Sequence, residues 1–438
     1  MAWITNLALA AALLVALATW LLAPWPAALG MAALLLLCLL FTRRGRQALS
    51  VASVGISTLG QRLGASSVIV VGIAGVVGVL VALLSMAEGY ADTLRKTGGT
   101  DTAVVMRGAS ASEVMSVLGR DSVALIAQAP GIARDAKGDP IASDELVVAA
   151  NLPVLGGATD EEGSVQLRGV GEQAWAVRPQ VKIIEGKRFG PGLRELIVGR
   201  GAARQFAGLV PGKTVRLGTQ DWVVAGIFAS GDAMESEIWA DASVVADTYR
   251  RGSSRASVVV RLTDAQAFAG FQAALQANPQ LKVDAITTLD YFNKQSEGVT
   301  KVLRAIGITV GAIMAIGAMF GALNTMFAAV AARSREIATL RAIGFSGLPV
   351  VVAVMLETML LALVGGLIGG LVAYLIFNGH AASTMAAGSV GKLSFELRVS
   401  PDLLWTGLKW ALAIGFVGGL FPALRAARMP VSTALREM

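Results

Sequence analysis

AIGITVGAIMAIGAMFGALNTMFAAVAA, residues 305–332, runs directly into RSREIATLRAIG, residues 333–344. The first stretch carries no charge over 28 residues, and the second brings Arg333, Arg335, Glu336 and Arg341 together. An uncharged apolar run of that length reads as a membrane-spanning helix, and arginines gathered at its end read as a cytoplasmic flank. At about 1.5 Å per residue the run reaches roughly 42 Å, against a hydrocarbon core of about 30 Å. Continued back to Leu289, it reads as a stalk that joins an outer domain rigidly to the membrane.

Working outward, five more apolar stretches approach the length of a span: 4–22, 27–41, 68–87, 349–377 and 403–424. Ala23-Pro24-Trp25-Pro26 separates the first two as a tight turn at the membrane surface, so 1–42 reads as a hydrophobic hairpin. A signal peptide is the rival reading, and the missing basic start argues against it. Composition agrees with a membrane protein: of 438 residues 55% are hydrophobic and 15% charged, and the mean hydropathy is +0.64. That excludes a soluble cytosolic enzyme. Basic residues collect in three stretches, at Arg43, Arg44, Arg46 and Arg62, after residue 332, and at Arg425, Arg428 and Arg436. With six spans these stretches share one side, both termini are cytoplasmic, and 88–304 and 378–402 lie outside.

Only the region 89–300 has soluble composition. It is expected to be an α+β domain inserted between the spans, with strands near 102–107, 145–150, 164–170, 214–217, 221–228, 257–262 and 281–286. A helix capped by Asp264 carries Phe268, Phe271 and Leu275 on one face. No cluster here supplies a nucleophile with a base, and the region has no histidine. Asp160, Glu161 and Glu162 read as a solvated turn rather than a metal site. AGLVPGKT, residues 207–214, resembles a phosphate-binding loop, but the glycine spacing is one residue short and a strand follows where a helix is required. Cys38 is the lone cysteine and His380 the lone histidine, so neither a disulfide nor a zinc cage is expected. The net charge is +7, but 89–300 holds 22 basic and 24 acidic residues. The excess therefore reports topology and gives no support to nucleic-acid binding.

Within the spans, glycines recur at four-residue spacing, at 307 and 311, 317 and 321, 365 and 369, 366 and 370, and 415 and 419, as in closely packed helices. Glu357 and Asn324 are the intramembrane polar candidates, with Asn324 read as packing glue, and Lys409 is expected to snorkel to the outer interface beside Trp405 and Trp410. Residues 333–344 form an amphipathic helix in which Ile337, Leu340 and Ile343 oppose the charges and Gly344 acts as the C-cap.

REIATLRAIGFS (335–346), LNTM (323–326), Glu357 followed by GGLIGG (365–370), and FPALRAARMPVSTALRE (421–437) together resemble FtsX/MacB-type permeases of ABC systems. The resemblance covers roughly residues 55–438, including a basic helix around Leu59 to Leu63. It implies a permease dimer, of identical chains or paralogues, in a bacterial inner membrane, each chain with four family spans and a large periplasmic domain. The chain then divides into the hairpin 1–42, a cytoplasmic amphipathic segment 43–67, a first family span 68–88, the periplasmic domain 89–300, the stalk and second span 301–332, a coupling helix 333–347, a third span 348–377, an outer loop 378–402, a fourth span 403–424 and a tail 425–438. By the same resemblance Arg335, Glu336, Leu340, Arg341 and Gly344 dock on an ATPase, and Arg425, Arg428, Pro430 and Leu435 form a C-terminal element beside them. MacB-like proteins carry their ATPase at the N-terminus. Here a hydrophobic hairpin stands in that place, so a separate ATPase dimer holding ATP-Mg is expected, with no cofactor or metal on this chain.

Function is therefore expected to be ATP-driven mechanotransmission that exports or extracts amphipathic or lipid-linked material, with membrane lipid and a periplasmic adaptor or carrier as further partners. The alternative is a non-transporting regulator or sensor acting on a periplasmic partner. A membrane enzyme with an outer catalytic domain is the third reading.

Overall fold

In a computed structural model the described residues are 15–57, 63–156, 161–385 and 391–428. Residues 4–14 of the hairpin, Arg62 with most of the basic helix at 59–63, Asp160, and Pro430, Leu435 and Arg436 lie outside them. The chain divides into two compact units, one of Met1–Ser85, Leu303–Asn378 and Arg398–Met438, the other of Met86–Val302 and Gly379–Leu397.

The first unit is helical. Its helices are α1 (Val15–Leu22), α2 (Trp25–Phe41), α3 (Arg43–Ser57), α4 (Leu63–Thr97), α10 (Thr288–Ala332), α11 (Ser334–Ala342), α12 (Gly347–Phe377) and α13 (Pro401–Arg428), with the outer parts of α4 and α10 counted in the second unit. Four of them, α4, α10, α12 and α13, are long and apolar enough to cross a bilayer. α10 continues unbroken for 45 residues, about 68 Å at 1.5 Å per residue. The expected six spans are thus reduced. α1 and α2 meet at a bend of 119°, and taken as one broken span they raise the number to five. The 17 residues of α2 reach only about 26 Å, short of a bilayer core, and the sixth span is not found among the described residues.

Glycine spacing explains how α12 packs between α4 and α13. A Cβ at Gly369 would lie 2.4 Å from the Ala74 carbonyl oxygen, and one at Gly415 would lie 2.4 Å from the Ala362 Cβ. Gly317 and Gly321 on α10 meet nothing within 4 Å among the described residues. Gly369→Leu is therefore expected to abolish a monodisperse protein on size-exclusion chromatography, because backbone cannot yield as a side chain can. Gly317→Leu should leave the protomer folded; equal damage from both would refute this packing.

Lys409 departs from its expected place. It is 8% exposed, and its Nζ donates to the carbonyls of Leu21 (2.6 Å) and Ala23 (3.2 Å), while Trp20 Nε1 donates to the Lys409 carbonyl (3.1 Å). The ammonium caps orphan carbonyls at the end of α1 instead of reaching water. That docking could not be anticipated while the hairpin had no assigned neighbour.

The second unit contains a ten-stranded mixed sheet. Its strands are β1 (Thr102–Arg107), β2 (Ala142–Pro153), β3 (Glu162–Val170), β4 (Lys182–Gly186), β5 (Glu195–Gly199), β6 (Thr214–Leu217), β7 (Gln220–Ala229), β8 (Glu237–Asp241), β9 (Ser257–Arg261) and β10 (Val283–Thr287). They are ordered β10-β1-β9-β2-β3-β8-β5-β7-β4, with β6 paired to β7; β3 with β8 and β5 with β7 are parallel. Helices α5 (Arg120–Ala127), α6 (Ala174–Val177), α7 (Arg200–Ala203), α8 (Ala242–Thr248) and α9 (Ala267–Ala277) join the strands. Asp264 accepts from the amides of Gln266 and Ala267 ahead of α9, and Phe271 and Leu275 are buried beneath it. The AGLVPGKT stretch is a turn with Gly208 and Gly212 at positive φ that opens β6. The stretch read as an outer loop, 378–402, contains two antiparallel strands, β11 (Ala381–Met385) and β12 (Lys392–Glu396). Phe395 packs edge-on against Tyr90 at 5.6 Å, and the Ser394 amide donates to Ser236 Oγ at 2.9 Å. Its apolar side chains join the outer core, so it belongs to the second unit.

Candidate functional site

After α10 the chain turns at Arg333 and re-enters helix as α11. Ile337 and Ala338 are buried, whereas Arg335 and Glu336 are exposed and Leu340 and Arg341 half-buried. The helix stops in a Schellman arrangement: Gly344 has φ +106°, its amide donates to the Arg341 carbonyl, and the Phe345 amide donates to that of Leu340. Glycine accepts that left-handed conformation without a Cβ clash.

Arg333 ties this loop to the interior of the bundle. Its Nη1 lies 3.0 Å from Glu357 Oε2 and its Nε 3.2 Å from Glu336 Oε2. Glu357, on α12, is 6% exposed, so the ion pair explains how an acid persists among apolar helices. Glu357 stood out in the sequence, but its partner did not, because Arg333 served equally well as a membrane-flanking charge. A largely apolar cavity of about 420 Å³ opens beside the pair, with Val51, Val330, Ile337, Leu340 and Val354 in its walls. The other sequence candidates are scattered. Asn324 is exposed on α10, Arg425 stacks over Phe327 with 5.6 Å to the ring centroid, and Arg428 is exposed at the end of α13.

The family model of the FtsX-like permease C-terminal region matches residues 308–431, and that of the MacB-like periplasmic core domain matches residues 65–278. The chain belongs to the FtsX/MacB family of ABC transporter permeases. No ATPase domain is evident in either matched region. Among solved structures, the extracellular domain of the noncanonic ABC-type transporter YknZ from Gram-positive bacteria is 14% identical, over 42% of this chain and 100% of that one, with a TM-score of 0.33. The periplasmic region of MacB from Actinobacillus actinomycetemcomitans is 15% identical over 44% and 90%, with a TM-score of 0.34. No curated protein matches the sequence.

The outer domain of this permease holds a second polar centre that was not visible in the sequence. Arg168 on β3 donates to Glu237 (2.7 Å), to both oxygens of Glu113 (3.0 Å each) and to Glu145 (2.7 Å). Arg178 also holds both oxygens of Glu145. Ser257 Oγ donates to Glu113 at 2.6 Å, Trp239 Nε1 donates to Glu237 at 2.9 Å, and Tyr291, at the start of α10, accepts from the Glu113 amide at 3.2 Å. All five charged groups are at most 8% exposed. Burial alone would push the Glu145 carboxyl up, but the Arg178 and Arg168 guanidiniums outweigh it and hold it below the usual glutamate value. Asp232 is raised, chiefly by burial. Every carboxylate here is engaged by protein donors, so the cluster is suited to fixing β2, β3, β8 and β9 against α10, not to chemistry. Among the described residues no group of His, Cys, Asp or Glu is placed to hold a metal ion.

Proposed function

We propose that this multi-pass permease works by mechanotransmission, converting ATP hydrolysis on a separate ATP-Mg-binding ATPase dimer into movement of its outer domain, and thereby exporting or extracting amphipathic or lipid-linked substrates. The observation that carries this reading is the Arg333 bridge. A helix with an exposed charged face, α11, is joined through one guanidinium to a buried acid on α12, so a push on α11 has a direct polar route into the bundle. The unbroken helix α10 supports the same reading. On this view the arginine-rich loops face the cytoplasm of an inner membrane, and the outer domain is periplasmic and meets an adaptor or carrier. Nothing in the fold favours the regulator reading over this one.

Charge reversal on α11, at the exposed Glu336 (Glu336→Arg) or the half-buried Arg341 (Arg341→Glu), is expected to abolish co-purification of the ATPase from membranes while the permease still inserts. Retained ATPase with full stimulation would exclude α11 as the contact. A second copy is the proposed partner of the open α10 face, where Gly317, Phe320, Gly321 and Asn324 follow one another at helical spacing. Gly321→Leu should reduce permease–permease cross-linking through this face several-fold without lowering the thermal midpoint. Unchanged cross-linking would place the dimer elsewhere.

A further inference from the structure

The cavity beside Arg333 and Glu357 measures about 420 Å³ and lies within the helical unit. Its walls run for two turns of α10 (326–333) and two of α12 (350–357), roughly 11 Å at 1.5 Å per residue, and α3 and α11 line the remaining sides. Close-packed interiors seldom keep a void larger than a water molecule, and an apolar cavity of about 150 Å³ already takes up benzene. The charged groups in the wall, Arg333, Glu336 and Glu357, are engaged with one another, so water finds few partners there. An apolar occupant is required. α3 adds a charge pattern. Its sequence RRGRQALSVASVGIS carries three arginines and no acid, and Arg43, Arg44 and Arg46 are exposed and make no ion pair among the described residues. At 3.6 residues per turn Arg43 and Arg46 fall within about 60° of each other, on the helix face of Ser50, which lies in the cavity wall. The start of α3 is pressed onto α2, since a Cβ at Gly45 would lie 2.5 Å from the carbonyl oxygens of Cys38 and Leu39, and Ala48 and Ala52 are buried. Membrane flanking by itself accounts for arginines on any face of α3; it does not account for two of them on the face that leads to a cavity.

We propose that this cavity binds one anionic phospholipid of the bilayer, with an acyl chain between α3, α10, α11 and α12 and the phosphate on Arg43 and Arg46. An acyl chain brings no donor or acceptor against apolar walls, whereas an inserted polypeptide segment would bury backbone N–H and C=O groups without partners. A negatively charged headgroup is selected because two guanidiniums meet it and α3 offers no carboxylate to compete. The bilayer supplies such a lipid at the surface where a basic flank resides. The bound chain packs against Ile337 and Leu340 and fills the void between α11 and α12, so occupancy stabilises the seat of α11. The site stands whether or not α11 contacts an ATPase.

The test uses the full-length permease in mixed micelles, without ATPase, and phosphatidylglycerol carrying a photoactivatable diazirine in one acyl chain. Mass spectrometry of the cross-linked peptides should place the label within 326–330 and 350–354, and unlabelled phosphatidylglycerol should displace it at lower concentration than phosphatidylcholine does. Arg43→Gln and Arg46→Gln should each weaken displacement by phosphatidylglycerol about five-fold and leave that by phosphatidylcholine unchanged, the factor expected for one basic residue near an anionic lipid. Ala353→Phe and Ala329→Phe each place a ring at the cavity wall, from different helices, and should abolish the label without lowering the thermal midpoint. Label confined to the outside of the bundle would overturn the proposal. Equal displacement by the two lipids in the parent would also overturn it, by marking an apolar cleft without headgroup recognition. Labelling of the cavity only after removal of residues 429–438 would do the same, by giving the cavity to the chain's own end.

Discussion

Arg168→Met is expected to unfold the outer domain. The substitution removes the group that faces Glu113, Glu145 and Glu237 at once and leaves three carboxylates at most 7% exposed, with Arg178 reaching Glu145 alone. Breaking one buried ion pair costs about 3–5 kcal/mol, against a total stability of about 5–15 kcal/mol for a typical domain, so losing several contacts together consumes most of the margin. Limited proteolysis of the purified permease should show rapid cleavage within 86–302 in the variant and protection in the parent. A variant as protected as the parent would mean that the carboxylates relax to water or share protons at little cost. Acid should act on the same cluster. Glu145 is held below its ordinary value, so its contribution to stability is complete above about pH 4.3 and is lost as the pH falls through the lower folded value.

Arg333→Met carries the second large effect, on coupling. It leaves Glu357 buried beside α11 without its guanidinium, a loss of about 3–5 kcal/mol unless the acid takes up a proton. The thermal midpoint should fall, and transport-linked ATP turnover with it. Glu357→Gln keeps an acceptor for Arg333 and should lower turnover without unfolding the complex. In the double variant Arg333→Met/Glu357→Met the unpaired charge is gone, so stability should recover while turnover does not. Recovery of both would reduce the pair to packing, and unchanged turnover in every variant would remove it from the coupling route.

Much of the architecture was legible because its signals are local. Span length, the arginine-rich flanks, the glycine that ends α11, the β-branched run of β1 and the period-two run of β6 depend only on neighbouring residues. β4, β5 and β8 are short, and β5 and β8 read as continuous apolar runs, since both their faces are covered and alternation disappears. The site residues divide in the same way. The charges of α11 were evident from their order in the chain, whereas Lys409 beneath α1, Arg333 on Glu357, and Arg168 among three glutamates each depend on partners 23 to 388 residues distant.

Chain chemistry alone settles that this is a membrane protein with an inserted domain and a charged helix between two spans, because hydrophobic length and charge asymmetry accumulate along the sequence; the permease family rests on its ordered motifs. Pairing across the fold settles the rest: which glycines meet backbone and which charges are neutralised in the interior. Those outcomes depend on distances of a few ångströms between remote segments, and no periodicity in the chain encodes them.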